Sequence, residues 1–181
     1  MTDEIPDGSG RPAPPVVGDE ASTLLGFLDY QRATLAWKCR GLTDDQLRVS
    51  RPPSVITLGG LLKHMASVED GWFTEVVAGE PLPEPWASVD LATEPDWEWS
   101  SAAHDSGAEL FALWEERVER SRAVVDGLIK DRGVDALAGL HSAWLGQVSL
   151  RWVITHMIEE YARHNGHADF LRESIDGQTG E

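Results

Sequence analysis

The sequence has little cysteine and little positive charge, and it has no long apolar run. Cys39 is the one cysteine, so an internal disulfide is excluded and a reducing cytoplasm is the expected setting. Lysine and arginine number 15 against 31 aspartates and glutamates, a formal net charge of −16. Such an acidic surface repels phosphate backbones and anionic lipids, which argues against nucleic-acid and membrane partners. Because no apolar run approaches the length of a membrane span, we predict a soluble, cytoplasmic protein.

The composition is otherwise that of a folded chain with one domain. Of the 181 residues, 41% are hydrophobic and 25% are charged, and these values exclude wholesale disorder. The N-terminal stretch MTDEIPDGSGRPAPP lacks the basic and apolar regions of a signal peptide. We predict a disordered arm over residues 1–17, a folded domain over residues 18–174 and a flexible tail over residues 175–181.

Hydrophobic residues recur with a helical period in four long segments. The segments cover residues 20–40, 58–79, 105–130 and 150–173. Thr57 and Ser149 are predicted N-caps. The connection over residues 80–100 is long and rich in proline and tryptophan, and the one over residues 132–148 has room for a short hairpin. The predicted fold class is all-α, a four-helix bundle with long irregular connections that permit overhand crossings.

The fourth segment carries a column of titratable side chains on one face. His156, Glu160, His164 and His167 follow one another at spacings of four, four and three residues, which places them within roughly 80° of arc on a helix. Imidazole and carboxylate groups four residues apart can hold one divalent ion such as zinc. His64, which faces the interior from the second segment, is the predicted third ligand. We predict a metal site of His64, Glu160 and His164 with an open coordination position, as in catalytic sites.

The other candidate residues around this site have more than one interpretation. His156 and His167 lie one turn from the metal ligands and are candidates for catalysis, substrate contact or alternative ligation. Arg163 could meet a substrate carboxylate or pair with Glu159, and the ion pair is the favoured interpretation. The tryptophans of the long connection and of the start of the last helix could line a pocket or fix the connection onto the bundle. The pocket candidates are Trp97, Trp144 and Trp152.

The segments LGGLLKHMASVE and SLRWVITHMIEEYARHNGHADFLRE resemble the DinB-like superfamily of metal-binding four-helix bundles. The resemblance covers nearly all of residues 20–174. It is closest to the actinobacterial branch related to the N-terminal domain of mycothiol-dependent maleylpyruvate isomerase. Many superfamily members use three histidines, and here Glu160 stands where one of them would be, which favours that branch. The resemblance implies an up-down-down-up bundle, a divalent metal that is often zinc, and a homodimer.

The same resemblance implies a metal-dependent transferase with mycothiol as cosubstrate. In such an enzyme a thiol held as thiolate attacks a small electrophilic substrate. The resemblance covers the bundle alone, and the sequence has no counterpart of the isomerase's second domain, so isomerisation is not the expected activity. The residues themselves leave three alternatives open. These are a metal-dependent hydrolase with water at the open position, a non-enzymatic metal- or ligand-binding bundle, and a structural dimer with a vestigial site.

Overall fold

The computed structural model describes residues 10–90, 92–141 and 146–180, and its secondary structure is helical. No strand forms in these ranges, where one isolated antiparallel bridge joins Leu137 to Ser149. The all-α prediction is therefore confirmed. The elements in chain order are α1 (Glu20–Cys39), α2 (Asp44–Leu47), α3 (Leu58–Glu69), a π-helix (Asp70–Val77), a 3-10 turn (Trp86–Ser88), α4 (Trp97–Ala102), α5 (Gly107–Arg132) and α6 (Leu150–Asp176).

Side-chain caps set where the long helices begin. The hydroxyls of Thr57, Ser106 and Ser149 each accept a hydrogen bond from the amide three residues further on, at 2.9, 3.3 and 3.3 Å. These bonds satisfy amides that have no partner inside the helix. Helix α5 ends at Arg132 and is followed by Gly133, whose φ of +71° favours glycine. The two predicted N-caps, Thr57 and Ser149, are confirmed.

Helices α1 and α6 pack side by side and run in the same direction. Near their N-terminal ends, Arg151 Nε donates to Glu20 Oε1 at 2.6 Å. Near their C-terminal ends, Arg172 Nη1 donates to the carbonyls of Lys38 and Arg40 at 3.0 and 2.8 Å. Because N-terminal end contacts N-terminal end and C-terminal end contacts C-terminal end, the two helices are parallel.

Helix α3 with its π-helical continuation is parallel to α5. Gly59 lies against Leu110 at the start of both helices. Two turns further along α5 and three turns further along α3, Arg117 Nε forms an ion pair with Asp70 Oδ2 at 2.8 Å. Because the contacts follow the same order along both helices, α3 and α5 point in the same direction. The connection between them must therefore return along the length of the molecule.

Helix α1 runs antiparallel to α3. Its C-terminal residue Cys39 places Sγ 3.8 Å from the Leu58 carbonyl at the start of α3. Arg32, two turns earlier in α1, donates to both carboxylate oxygens of Glu69 at the end of α3, at 2.8 and 2.7 Å. These two contacts fix the opposite directions of the helices.

A buried polar network joins four of the helices at the level of Glu69. The Tyr161 hydroxyl donates to Glu69 Oε1 at 2.7 Å and accepts from Trp114 Nε1 at 2.9 Å. Arg32, Glu69, Tyr161 and Trp114 are all 4% exposed or less. Removing one partner would leave a buried group unpaired, which is strongly destabilising. Since Tyr161 follows the predicted ligand Glu160, this network also fixes α6 beside the candidate site.

Two elements differ from the predicted regular pattern. The period predicted through residue 79 gives way after Glu69 to the π-helix, in which each turn holds more residues. The connection predicted over residues 80–100 contains the 3-10 turn and the start of α4. Helix α4 is six residues long and has no side-chain cap, and so short an element has no detectable hydrophobic period.

Residues 10–17 lie against α1 at Arg11. The Arg11 guanidinium lies over the rings of Tyr30 and Trp37, at 4.7 and 4.6 Å from their centroids, and donates to Thr34 Oγ1 at 2.8 Å. Residues 1–9 of the predicted arm and residue 181 of the predicted tail fall outside the described residues. The domain boundaries therefore stay predictions. Among the helices described, none has the length and apolar character needed to cross a membrane.

Candidate metal centre

The structure brings His64, Glu160 and His164 together. Each offers one ligand atom, and these three atoms lie within 4.8 Å of one another. His164 Nε2 is 3.4 Å from Glu160 Oε1 on the same face of α6, and His64 Nε2 reaches that oxygen from α3 at 4.0 Å. The spacing of four residues on α6 and the antiparallel approach of α3 together produce this cluster.

The three side chains of the cluster are partly buried, and this burial changes the pKa of His164. The side chains of His64, Glu160 and His164 are 20%, 21% and 11% exposed. Burial, together with the neighbouring His64, lowers the pKa of His164 from 6.5 to about 4. The imidazole of His164 is therefore neutral at pH 7 and has a lone pair available for ligation.

These donor atoms fit a divalent metal such as zinc. Two imidazole nitrogens and one carboxylate oxygen are a usual zinc donor set. Ligand atoms about 2.0–2.1 Å from a tetrahedral zinc lie about 3.3 Å apart, so the 3.4 Å pair already has the required separation and the 4.0 Å pair needs a small contraction. Three protein ligands leave one coordination position for a further group.

Sequence reasoning missed Glu98, which comes from α4 and binds His64 from the side away from the cluster. Glu98 Oε2 lies 2.6 Å from His64 Nδ1. The next residue, Trp99, stacks on the same imidazole at 5.0 Å between ring centroids. The sequence did contain a signal that could have pointed to Glu98. This glutamate stands between two tryptophans, in a segment too rich in tryptophan for an ordinary loop.

His156, one turn before Glu160, lies in an aromatic group with Trp72 and Trp152. Its ring stacks on Trp152 at 5.2 Å and meets Trp72 edge-on at 4.7 Å. Trp152 is 39% exposed, so it presents a free aromatic surface. His156 Nδ1 is 3.5 Å from Glu159 Oε2.

The remaining candidates on α6 have different surroundings. The His167 ring lies 5.4 Å from that of His164, and its Nδ1 is buried with no hydrogen-bond partner in the described chain. Arg163 is exposed and has no ion pair among the described residues. The favoured pair of Arg163 with Glu159 does not form, because the Glu159 carboxylate turns towards His156 instead.

The two described tryptophan candidates, Trp97 and Trp152, have different neighbours. Trp97 is held by the Lys63 ammonium, 4.6 Å from its ring centroid, and meets Trp86 edge-on at 5.9 Å. It therefore helps to fix α4 to the helices. Trp144 lies outside the described residues.

A groove of about 680 Å³ lies away from these residues. It is bordered by the end of the π-helix, by α5 and by the segment before α6, and it includes Val77, Ala123, Leu128 and Gln147. Of the predicted site residues that the structure describes, none lines it. The chemistry-bearing side chains therefore cluster on α3, α4 and α6, apart from this groove.

Comparison with known proteins agrees with the resemblance noted in the sequence. The model of the mycothiol-S-transferase family matches residues 23–177, a range that includes every residue of the candidate metal centre. Among curated proteins, none gives a significant match. Since the family match spans most of the chain, the protein belongs to the mycothiol S-transferase family of the DinB-like superfamily.

Proposed function

We propose that this protein is a metal-dependent transferase that joins a mycothiol-type thiol to a small electrophilic substrate. Membership of the mycothiol S-transferase family supports the thiol and the reaction type. One observation supports the metal dependence, namely the convergence of His64, Glu160 and His164 within 4.8 Å. In this proposal zinc is the metal, and the three residues hold it with one position left for the thiol.

The proposed chemistry is a group transfer at sulfur. When bound, the metal supplies the positive charge that keeps a thiol sulfur in its thiolate form at neutral pH. The sulfur forms a bond to the electrophilic carbon, and the leaving group departs with its electron pair. The thiol proton passes to an imidazole beside the site, for which His156 and His167 are the candidates.

The electrophile has an aromatic surface available next to the ligands. His156, one turn before Glu160 on α6, stacks on Trp152, which lies a further turn away and is 39% exposed. An apolar or planar group resting on this surface would lie beside the open position. Arg163 is exposed and unpaired within the described ranges, so it remains a candidate contact for a substrate carboxylate.

We further propose that residues 18–174 form an up-down-down-up four-helix bundle that works as a cytoplasmic homodimer. The parallel pairs α1 with α6 and α3 with α5, and the antiparallel pair α1 with α3, support this arrangement. The net charge of −16 supports the absence of nucleic-acid and membrane partners. Sedimentation of the purified protein tests the dimer.

The experiment that tests the metal site is the zinc content of purified variants. We expect the wild type to bind one zinc and His64→Ala and Glu160→Gln to lose it, because each change removes one of three ligands. His104→Ala and Glu173→Gln are the matched controls, since both residues are exposed and lie outside the cluster. Full zinc occupancy in both ligand variants would contradict the proposed site.

The experiment that tests the reaction compares turnover of electrophiles with and without mycothiol. We expect turnover that requires both the thiol and zinc and that is lost in Glu160→Gln. Turnover without a thiol would favour the hydrolase alternative. Zinc binding with no turnover on the whole panel would favour a non-enzymatic metal-binding protein.

A further inference from the structure

The imidazole of His64 is held from both sides by different elements. On one side, Nε2 faces Glu160 at 4.0 Å. On the other side, Nδ1 lies 2.6 Å from the Glu98 carboxylate, whose side chain is 12% exposed. A carboxylate accepts hydrogen bonds, so the 2.6 Å contact favours a proton on Nδ1. The tautomer protonated on Nδ1 has its lone pair on Nε2, the nitrogen that faces the cluster.

Contacts that involve no metal hold Glu98 in this place. Trp99, the next residue of α4, stacks on the His64 ring at an interplanar angle of 26°. Trp99 approaches α3 closely because Gly60 has no side chain, since a Cβ there would lie 2.6 Å from Trp99 Cε3. Just after the end of α4, Asp105 forms an ion pair with Lys63 Nζ of α3 at 2.6 Å. Helix α4 is thus fixed to α3 at several points around His64.

The second histidine of the cluster has no such support. His164 Nδ1 is buried and has no hydrogen-bond partner among the residues described. Its orientation is instead restricted by the packing of α6 and by the 4.7 Å contact between its ring and that of His64. The two imidazoles therefore differ, because the nitrogen that faces away from the cluster contacts a carboxylate in His64 and has no partner among the described residues in His164.

We propose that Glu98 is a positioning residue that fixes His64 with Nε2 directed at the metal position. Carboxylates that hold the second nitrogen of a ligating histidine orient the ring and raise its basicity, and their loss typically weakens metal binding by about 10–100-fold. The proposal rests on the proposed function for the identity of the bound ion. The proton position of His64 can be measured without any metal.

The test uses Glu98→Ala and Glu98→Gln, with Glu94→Gln as the matched control because Glu94 is an exposed carboxylate of the same segment. Zinc affinity is measured by competition with a chelator. The tautomer of His64 is measured by ¹⁵N NMR of the metal-free protein. We expect Glu98→Ala to bind zinc about 10–100-fold more weakly and to lose the Nδ1–H preference of the wild type. Glu98→Gln retains an acceptor, so its loss should be smaller, and Glu94→Gln should match the wild type.

Three results separate the possible failures. Wild-type zinc affinity and an unchanged tautomer in Glu98→Ala would overturn the positioning role. Weaker zinc binding with an unchanged tautomer would also overturn it, because the loss would then have another cause. If the wild type binds no zinc, the proposed function fails, while the tautomer of His64 still decides the role of Glu98. Circular dichroism of each variant verifies that it is folded.

Discussion

Cys39 is the residue most easily mistaken for a participant in thiol chemistry. It is 1% exposed, at the end of α1, and its Sγ lies against the Leu58 carbonyl. Burial raises the pKa of the Cys39 thiol to about 12, although the charge of Arg172 acts weakly in the opposite direction. The thiolate is the reactive form of cysteine, so the folded protein's own thiol is inert at neutral pH.

We therefore expect Cys39 to react with a disulfide reagent at pH 8 only when the protein is unfolded. The native thiol should remain unmodified for many times longer than the thiol in urea, as measured by the absorbance of the released product. Because the folded pKa lies above the unfolded value of 9.0, the neutral thiol favours the native state below pH 9. That contribution is lost as the pH rises from 9 towards 12.

The outcome that would contradict this expectation is rapid modification of the native protein at pH 8. A Cys39→Ala variant is the control for nonspecific reaction. It should also retain zinc binding, since Cys39 is no part of the metal cluster.

Sequence spacing predicted the proposed ligands better than it predicted their surroundings. Glu160 and His164 lie on one helix, where a spacing of four residues determines their proximity. Glu98 is 34 residues from His64, in a segment without periodicity, so no local rule connects them. The favoured pair of Arg163 and Glu159 had suitable spacing, but the nearby His156 gives Glu159 another partner.

At the scale of elements, α4 is the part of the molecule that depends most on its neighbours. It has only six residues and no side-chain cap, and a helix so short is unstable on its own. Its position comes from the packing of Trp97 and Trp99 against α3 and its surroundings. This dependence explains why the sequence indicated a connection there and not a helix.

Gly60→Ala should disturb α4 without changing any proposed ligand. The added Cβ would lie 2.6 Å from Trp99 Cε3 and 2.9 Å from Thr57 Oγ1, so Trp99 must move away from His64. We expect a loss of about 1–3 kcal/mol in the free energy of unfolding, measured with urea, since overpacking of this kind costs that much.

Gly127→Ala is the matched control for this substitution. A Cβ at Gly127 in α5 meets no atom within 4 Å. Alanine should therefore stabilise that helix by about 0.5–1 kcal/mol. Equal stabilisation by both alanines would contradict the role assigned to the Trp99 contact.

At the scale of the whole molecule, caps and apolar stripes predict the helices but not how they are arranged. Connections of about 20 residues allow a following helix to run in either direction. The direction of each helix is determined by contacts between residues far apart in the sequence. Examples are the ion pair of Glu20 with Arg151 and that of Asp70 with Arg117. The sequence therefore indicated the all-α class, whereas the directions of the helix pairs needed the structure.

The proposed metal should also stabilise the whole molecule, because its ligands come from helices far apart in the chain. A ligand that binds only the native state at 100 times its dissociation constant adds about 2.7 kcal/mol. For a chain of this size that corresponds to a rise of roughly 5–10 °C in the melting temperature. We expect zinc to produce such a rise in the wild type and a chelator to reverse it, as measured by calorimetry.

Glu160→Gln distinguishes site binding from general effects of the ion on an acidic protein. With a net charge of −16, the surface attracts divalent cations at many carboxylates, and this weak binding could change stability without any specific site. Glu173→Gln removes the same charge from the same helix but leaves the cluster intact. We expect zinc to stabilise Glu173→Gln as it does the wild type and to have little effect on Glu160→Gln. An equal rise in both variants would mean that zinc acts through the surface charge and not through His64, Glu160 and His164.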